Sequence, residues 1–392
     1  MKKKIVILIC MIAILFSLIV LLYDKENNVV DNKYNSQNYS NALSIMVYDD
    51  ASKDYLQQDD VPIGDYKINE EKTYCINGSL ITNYDNSLGQ LKYSFPAVDQ
   101  CYIYFDVLEM HISPQTTLSD GIIALSGKTN SANTYRVANQ NGYRYEGIEP
   151  NNYLYFNCSD TSDTSTCEKW RMIGTFEGST IGLTAGKYYT KIITNDSIGN
   201  IAWDTNSSTD WATSTLNTYL NGTYYSSIAS SYRALIKSAN WRWYMLGLLG
   251  LTGDTSPNTS SIYASERSDA SHSVEKYIGL FYFSDYMYAM YAGNANNNCN
   301  NETSQIHEYK SNSDENYHCY RYDWLAADYS CWSMNPSTAY DVIFHYETSV
   351  MSFTSAYDGT NTSIGVRPSA YLEYTVKVTG GLGTFEEPYT IS

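Results

Sequence analysis

Cysteine is the residue type in this chain with the widest range of chemistry, and seven cysteines lie beyond residue 24. They are Cys75, Cys101, Cys158, Cys167, Cys299, Cys319 and Cys331. No two of them stand in a Cys-x-x-Cys pair, the spacing typical of zinc and thioredoxin-like sites. We therefore expect disulfides, with Cys75 bonded to Cys101, Cys158 to Cys167, and Cys299 to Cys319 or Cys331. The odd number leaves one free thiol or one intermolecular bridge.

Aromatic residues stand between the last two cysteines, in the stretch HCYRYDWLAADYSCW. The rings of Tyr320, Tyr322 and Trp324 could stack on sugars or peptides, because aromatic faces combine a large apolar area with a polar tip. We predict that these three residues bind a ligand and that Trp324 is exposed. Trp332, just beyond them, is predicted to be a core residue.

Side chains for metal binding or acid–base chemistry show no recognisable spacing. None of the five histidines is paired at a metal-ligand spacing. Glu149-Pro150-Asn151 offers too few oxygens for calcium, which takes about six to eight. A Gly-x-Ser-x-Gly elbow is absent, although a triad of distant residues stays open because geometry defines it. The sequence thus predicts no catalytic residue, no metal ligand and no cofactor.

The N-terminus carries Lys2, Lys3 and Lys4, followed by an apolar run over residues 5–23. A run of about 20 apolar residues is long enough to cross a bilayer as a helix, and the lysines favour an inside N-terminus. We expect residues 1–23 to be a single-pass anchor in the cell membrane, with the rest of the chain extracellular. A cleaved signal peptide is the alternative. An oxidising exterior agrees with the expected disulfides.

Net charge and composition limit the classes of partner that this chain can bind. The net charge is −17, from 42 acidic and 25 basic residues, which argues against a nucleic-acid partner because phosphate binding needs a basic surface. The chain has 40 tyrosines against 10 phenylalanines. Tyrosine suits recognition surfaces, although biased codon usage would give the same excess.

Composition and hydrophobic pattern divide the chain after the anchor into a polar stalk (24–60), a small β domain (61–125) and a larger α+β domain (126–392). In the larger domain, Ser214 or Thr213 is predicted to cap a short helix that Asn221-Gly222 ends. Leu216 and Leu220 share the inner face of that helix, and Trp203 and Trp211 are expected to pack beside it in the core. Residues 247–340 are predicted to be mostly loop.

The order of motifs in the larger domain resembles a family of bacterial surface domains with a C-type-lectin-like fold, distantly related to formylglycine-generating-enzyme-like domains. The matching stretches are EKWRMIGTF (168–176), TKIITNDSIGNIAWD (190–204), WATSTLNTYLNGTYYSSI (211–228), IYASERS (262–268), YIGLFYFSDYMYA (277–289), CWSMNPS (331–337) and SIGVRPSAYLEYTV (363–376). The resemblance implies a C-type-lectin-like domain preceded by a small β-sandwich-like domain. It also implies a structural role for Arg367, paired with a buried carboxylate such as Glu266.

The resemblance implies a surface setting more than an activity. The related enzymes use a reactive cysteine pair, but the surroundings of Cys319 and Cys331 do not match that pattern, so a disulfide is favoured there. We expect a membrane-anchored binding or adhesion protein without catalysis, whose partner is a host or cell-wall glycan or protein. The alternatives are an extracytoplasmic enzyme of the formylglycine-generating type and a purely structural envelope component.

Overall fold

The computed structural model of the chain describes residues 29–30, 42–49, 52, 54–63, 66–85, 88–94, 99–107, 110–130, 133–206, 208–243, 258–268, 270–291, 322–326, 331–336, 341–347, 350–355 and 363–392. Two compact units divide the chain, Met1–Glu109 and Met110–Ser392. No helix within these described ranges is long and apolar enough to span a membrane. The predicted anchor, residues 1–23, lies outside them.

The first unit contains eight described strands in two sheets. They are β1 (Val29–Val30), β2 (Ala42–Asp49), β3 (Asp54–Gln58), β4 (Tyr66–Ile68), β5 (Tyr74–Cys75), β6 (Leu80–Asp85), β7 (Gln90–Ser94) and β8 (Gln100–Val107). One sheet has the order β3-β2-β8-β4, with β5 also paired to β8, and the other has the order β1-β7-β6. Strand β2 pairs with β8 in parallel and with β3 antiparallel.

Residues of both sheets share one apolar core in the first unit. Alternate residues of β2 point inward, so that Leu43, Ile45 and Val47 are buried beside Ile103 of β8 and Leu91 of β7. This alternation is the period of a half-buried strand. The prediction of a stalk over 24–60 is therefore wrong for residues 42–58, where β2 and β3 belong to this sheet.

The predicted Cys75–Cys101 disulfide is confirmed in the first unit. The two cysteines are directly opposite each other in the ladder between β5 and β8. Cross-strand neighbours lie within the reach of a disulfide, because their Cβ atoms are about 4.5–5.5 Å apart even when unlinked. The bridge ties the short strand β5 to a central strand of the sheet.

The second unit is a mixture of strands and short helices in which strands predominate. Its strands are β9 (Tyr135–Asn139), β10 (Tyr143–Gly147), β11 (Tyr153–Phe156), β12 (Glu168–Glu177), β13 (Tyr188–Thr194), β14 (Asn200–Ala202), β15 (Ile236–Lys237), β16 (Ala239–Arg242), β17 (Ser273–Lys276), β18 (Ile278–Gly279), β19 (Cys331–Pro336), β20 (Asp341–Glu347), β21 (Val350–Ser355), β22 (Ser363–Gly365), β23 (Ser369–Leu372), β24 (Val378–Gly380) and β25 (Thr390–Ile391). The largest sheet has the order β15-β23-β13-β12-β10-β9. A second sheet has the order β14-β22-β19-β20-β21.

Six α-helical segments accompany these sheets in the described part of the second unit. They are α1 (Leu118–Leu125), α2 (Thr215–Tyr219), α3 (Tyr225–Ser227), α4 (Ser230–Arg233), α5 (Thr259–Ser268) and α6 (Phe283–Tyr288). Helix α1 buries Leu118, Ile122 and Leu125 in the core of the second unit, so its assignment to the domain 61–125 is wrong. Helices α5 and α6 fall inside the stretch 247–340 that was predicted to be mostly loop.

The predicted helix start near Ser214 is confirmed, but its predicted end is wrong. The Ser214 hydroxyl accepts a hydrogen bond from the backbone N–H of Asn217, and Leu216 and Leu220 are fully buried. Beyond α2 the chain continues as a π-helix, Leu220–Tyr224, into α3. The Asn221 side chain accepts from the N–H of Ile278 and donates to its carbonyl. This tie to β18 gives Asn221 a role other than ending the helix.

Trp203 and Trp211 lie beside α2 as core residues, as predicted. Both are fully buried, with ring centroids 5.1 Å apart, and Trp332 completes the group at 5.9 Å from Trp203. Aromatic pairs at such spacings bury large apolar areas. These three tryptophans hold the entry of the helix against the sheet that contains β14 and β19.

The predicted Cys158–Cys167 disulfide is also confirmed. It closes a short loop between β11 and β12 that contains the 3-10 turn Thr164–Thr166. Asp160 and Asp163 accept hydrogen bonds from Ser162 and Ser165 within this loop. The loop is thus held by a covalent bond and by local turns.

Candidate functional site

Two of the three sequence-predicted binding residues, Tyr322 and Trp324, are described by the structure, and neither is exposed. Trp324 is only 5% exposed, and its indole N–H donates to the carbonyl of Tyr145 at 2.8 Å. The prediction that Trp324 is exposed is therefore wrong. Tyr322 is half-buried against the core, and Tyr320 lies outside the described residues. A ligand role for the three stays a prediction, but the burial of Trp324 gives it no support.

Trp324 packs instead on a buried arginine. The guanidinium carbon of Arg171 lies 4.5 Å from the Trp324 ring centroid and 4.1 Å from that of Tyr153. Glu149, the first residue of the Glu-Pro-Asn stretch, forms an ion pair with Arg171 at 3.2 Å. Cation–π stacking between two rings is a favourable setting for a desolvated arginine. Glu149 thus has a structural role as the exposed ion-pair partner of Arg171.

Asp323 is the first of two deeply buried carboxyl groups with a raised pKa among the described residues. Burial raises the pKa of Asp323 well above its usual range, although the N–H of Leu325 and the nearby charges of Arg367 and Arg171 act in the opposite direction. A carboxyl group with a raised pKa is what a general acid needs. Asp323 is only 6% exposed, however, so its position does not favour contact with a substrate.

Glu266 is the second such carboxyl group, and burial raises its pKa as well. It accepts hydrogen bonds from the backbone and hydroxyl of Ser284 and from the amide of Asn335. The expected partner, Arg367, donates instead to the carbonyls of Thr194 and Leu325 at 3.0 and 3.1 Å. The implied Arg367–Glu266 pair is therefore wrong. Carbonyl groups of the chain satisfy the arginine, while Glu266 joins α5 to α6.

Three charged residues form a buried ionic cluster, defined here as Arg144, Lys191 and Asp285. Nη1 of Arg144 lies 2.7 Å from Oδ1 of Asp285, and Nζ of Lys191 lies 2.6 Å from Oδ2. All three side chains are at most 1% exposed. Burial lowers the pKa of Lys191 to about 8, against the opposing effect of Asp285. Burial alone would raise the pKa of Asp285, but Lys191 and Arg144 outweigh it and lower that pKa.

The ionic cluster joins α6 to two strands of the largest sheet, because Arg144 lies on β10, Lys191 on β13 and Asp285 on α6. The backbone N–H of Tyr282 also donates to Asp285 at 2.9 Å. Perturbed pKa values mark functional sites as well as structural ion networks. Here every member is enclosed by protein, and the role of the cluster is to hold α6 against β10 and β13. No sequence pattern predicts this cluster, because the three residues come from distant parts of the chain.

Cys331 is a buried free thiol. The alternatives that paired it with Cys299 or Cys319 are therefore wrong, and it is, among the described cysteines, the single free thiol that the odd number of cysteines allowed. Cys299 and Cys319 lie outside the described residues. Burial raises the pKa of the Cys331 thiol to about 12. The thiolate is the nucleophilic form of cysteine, and apolar surroundings suppress it. Cys331 therefore has the character of a core residue rather than of a reactive one.

Cys75, Asp99 and Cys101 are close enough together to resemble a metal-binding set. The two cysteines are bonded to each other, and the Asp99 carboxylate accepts the backbone N–H groups of Asn77, Ser79 and Gln100. Metal binding requires free thiolates. These three residues are therefore a disulfide and a neighbouring carboxylate that accepts backbone hydrogen bonds, and they do not form a metal site.

Replacing Asp99 by asparagine is expected to give a pH-dependent loss of stability. Burial acts to raise the pKa of Asp99, but the hydrogen bonds from Ser79, Asn77 and Gln100 outweigh it and lower the pKa from 3.8 to about 2. A lowered pKa stabilises the fold above pH 3.8, and this stabilisation is lost as the pH falls through about 2. Denaturant unfolding of both proteins from pH 2 to 7 measures it. If the difference in unfolding free energy between the wild type and Asp99→Asn were the same at every pH, the stabilising role of the Asp99 charge would be contradicted.

A groove opens at the edge of the larger sheet of the first unit, and we name it the edge groove. Its volume is about 640 Å³. Buried Val47 and Val61 line it together with Leu56 and Ile63, which are 45% and 52% exposed. Leu56 is opposite Val47 in the ladder between β3 and β2. The apolar core of the first unit thus continues to the surface here.

Acidic residues complete the edge groove. Asp49, Asp59 and Asp60 line it, and none of its described lining residues is basic. The rings of Tyr48 and Tyr66 line it as well, both half-buried. Binding sites in proteins combine apolar and aromatic walls with a few polar groups in volumes of about 300–1,000 Å³. The edge groove has this combination and this size.

Exposed apolar side chains concentrate in the first unit. Of the eight large hydrophobic residues that are exposed among the described ones, five lie in this smaller unit: Leu56, Ile63, Tyr74, Ile76 and Leu88. Exposed apolar groups in clusters mark interaction surfaces, whereas scattered ones are ordinary. Leu56 and Ile63 are the two that share a groove, which makes the edge groove the strongest candidate site in the described chain.

Comparison with protein-family models, with curated proteins and with solved structures finds no match for this chain.

Proposed function

We propose that this chain is an outward-facing bacterial cell-surface protein that binds an extracellular ligand and performs no chemistry on it. The edge groove carries the proposal, because it is concave, partly apolar and open to solvent. The ligand classes in view are host or cell-wall glycans and proteins. The site lies in the first unit and not at Trp324, whose ring is buried.

The surface setting is supported by the two disulfides and by the N-terminal sequence. Disulfides persist outside the cytosol, and two are formed here. We propose that residues 1–23 anchor the chain in the cell membrane in a single pass. We further propose that the first unit is β-sandwich-like, since two sheets share its core, and that the second unit is C-type-lectin-like, on the order of its motifs.

The two alternatives have weaker support. An enzyme is favoured by carboxyl groups with raised pKa in a cleft, but Glu266 and Asp323, which have raised pKa values, are 0% and 6% exposed. A purely structural role is favoured by an exposed apolar patch without a concave site. The exposed apolar residues Leu56 and Ile63 line a groove, and this favours a binding role.

A ligand panel tests the proposal. The full-length chain is applied to arrays of glycans, mucins and matrix proteins, with and without calcium, beside a variant with Leu56→Glu and Ile63→Glu. We expect saturable binding that the variant reduces at least tenfold, because two charges replace the apolar wall of the groove. The matched control is Ile76→Glu with Leu88→Glu, which makes the same changes at exposed positions outside the groove. Equal binding by both variants would contradict the proposed site.

A further inference from the structure

We propose that the edge groove takes an extended, lysine- or arginine-bearing peptide segment of a partner protein, added as a strand beside β3. This inference rests on the proposed binding function and specifies the chemistry of its ligand. It draws on three independent features of the first unit: the position of β3, the exposed apolar walls of the groove, and the sign of its charge.

Strand β3 is an edge strand among the described strands of its sheet. It is last in the order β3-β2-β8-β4, and among the described strands it pairs with β2 alone. An edge strand presents backbone N–H and C=O groups that another extended chain can pair with. Peptide recognition by strand addition uses these groups for affinity and side-chain pockets for specificity. The five residues Asp54–Gln58 can thus pair with a short segment.

The walls of the groove fit alternate side chains of such a segment. Successive residues of a strand point to opposite faces, so every second side chain of an added strand would face Leu56 and the groove. Leu56 and Ile63 are about half exposed and line the groove together with buried Val47 and Val61. An apolar side chain placed there would cover both. This pattern predicts apolar residues at every second position of the segment.

The charge of the groove selects the kind of partner. Asp49, Asp59 and Asp60 line it without a described basic residue, in a chain of net charge −17. A second copy of this chain would bring the same carboxylates to the same edge, and like charges across an interface are unfavourable. A cationic segment complements them and is attracted from a distance. The groove therefore favours lysine or arginine beside the apolar positions.

Short peptides test the proposal on the full-length chain. The probe is a fluorescent seven-residue peptide of alternating lysine and valine, KVKVKVK, whose binding is followed by fluorescence anisotropy. We expect saturable binding that weakens as salt rises. The glutamate and glutamine versions, EVEVEVE and QVQVQVQ, should bind at least tenfold more weakly. The proline version, KVKPKVK, should also bind more weakly, because proline lacks the backbone N–H that pairs with an edge.

Matched variants separate the groove from general charge. Asp59→Asn with Asp60→Asn should weaken the binding of KVKVKVK about tenfold, the scale of two exposed ion pairs. Glu70→Gln with Glu71→Gln removes the same charge at exposed positions outside the groove and should change binding less than twofold. Equal loss in both variants would overturn the proposal, as would undiminished binding of KVKPKVK or self-association of the chain through β3.

The outcomes also separate this inference from the proposed function. If a glycan binds and Leu56→Glu with Ile63→Glu abolishes that binding, while no lysine peptide binds, the groove is a binding site but the peptide inference fails. If the groove variants change the binding of neither a panel ligand nor a peptide, the proposed function and the peptide inference both fail.

Discussion

Replacing Asp285 by alanine is expected to lower the free energy of unfolding by about 3–5 kcal/mol, the usual effect of removing one member of a buried ion pair. Asp285 faces Arg144 at 2.7 Å and Lys191 at 2.6 Å, with every side chain almost fully buried. The substitution leaves two desolvated cations without their anion. Denaturant unfolding followed by circular dichroism measures the change.

Two matched variants identify the cause of that loss. Glu373→Ala breaks the Lys237–Glu373 pair, whose side chains are 42% and 27% exposed, and should remove at most about 1 kcal/mol. Replacing all three members of the ionic cluster by apolar residues should be much less damaging than Asp285→Ala, because no unpaired charge remains. A loss below about 1 kcal/mol in Asp285→Ala would contradict the account of the cluster.

Replacing Trp203 by alanine is expected to lower the free energy of unfolding by a similar amount, about 3–5 kcal/mol. The indole is fully buried and contacts the rings of Trp211 and Trp332 at 5.1 and 5.9 Å. The variant loses the apolar burial of one large side chain and leaves a cavity between α2 and its sheet. Circular dichroism is again the measurement, since tryptophan fluorescence itself changes.

Phe385→Ala is the control for that substitution. Phe385 is 47% exposed and contacts Lys169 and Tyr153. Its removal should reduce the free energy of unfolding by less than about 1.5 kcal/mol. If Trp203→Ala is no worse than Phe385→Ala, the tryptophan group is not a core of the second unit.

Local patterns allowed several correct predictions. Ser214 sits before a helical spacing of leucines, and hydroxyl caps are a local property of the chain. Cys75–Cys101 and Cys158–Cys167 are pairs of consecutive cysteines, 26 and 9 residues apart, so pairing each cysteine with its neighbour in the sequence was enough to assign them. Trp203 and Trp211 both stand shortly before the same short helix in the sequence. In each case the residues that interact lie within 26 residues of each other in the sequence.

Other features depend on contacts that sequence patterns do not reveal. Strand β2 alternates correctly, but polar flanking residues suggested a stalk, and only pairing with β8 shows that Leu43, Ile45 and Val47 face a core. Trp324 stands in an aromatic stretch that was predicted to be exposed, yet its indole reaches the carbonyl of Tyr145, far away in the chain. The ionic cluster joins residues 144, 191 and 285. Cys331 was one of two alternative partners of Cys299, and no local pattern shows that it is a buried free thiol.

The edge groove also depends on contacts that sequence patterns do not reveal. Its apolar residues come from β2, from β3 and from the segment after β3. In the sequence, acidic residues stand close to these apolar residues. Exposure of Leu56 follows from the end of the sheet at β3 and not from any local pattern. A binding site in the first unit was therefore not predicted from the sequence, which pointed to the aromatic stretch around Trp324.

Hydrogen exchange of the full-length chain, with and without the panel ligand that binds most tightly, tests the central claim most directly. Ligand contact slows the exchange of backbone amides that it covers or stabilises. We predict slower exchange at residues 42–49, 54–63 and 66–68, around the edge groove, and little change across the second unit. Protection confined to the second unit, or no protection by any ligand of the panel, would contradict the claim that this groove binds an extracellular ligand.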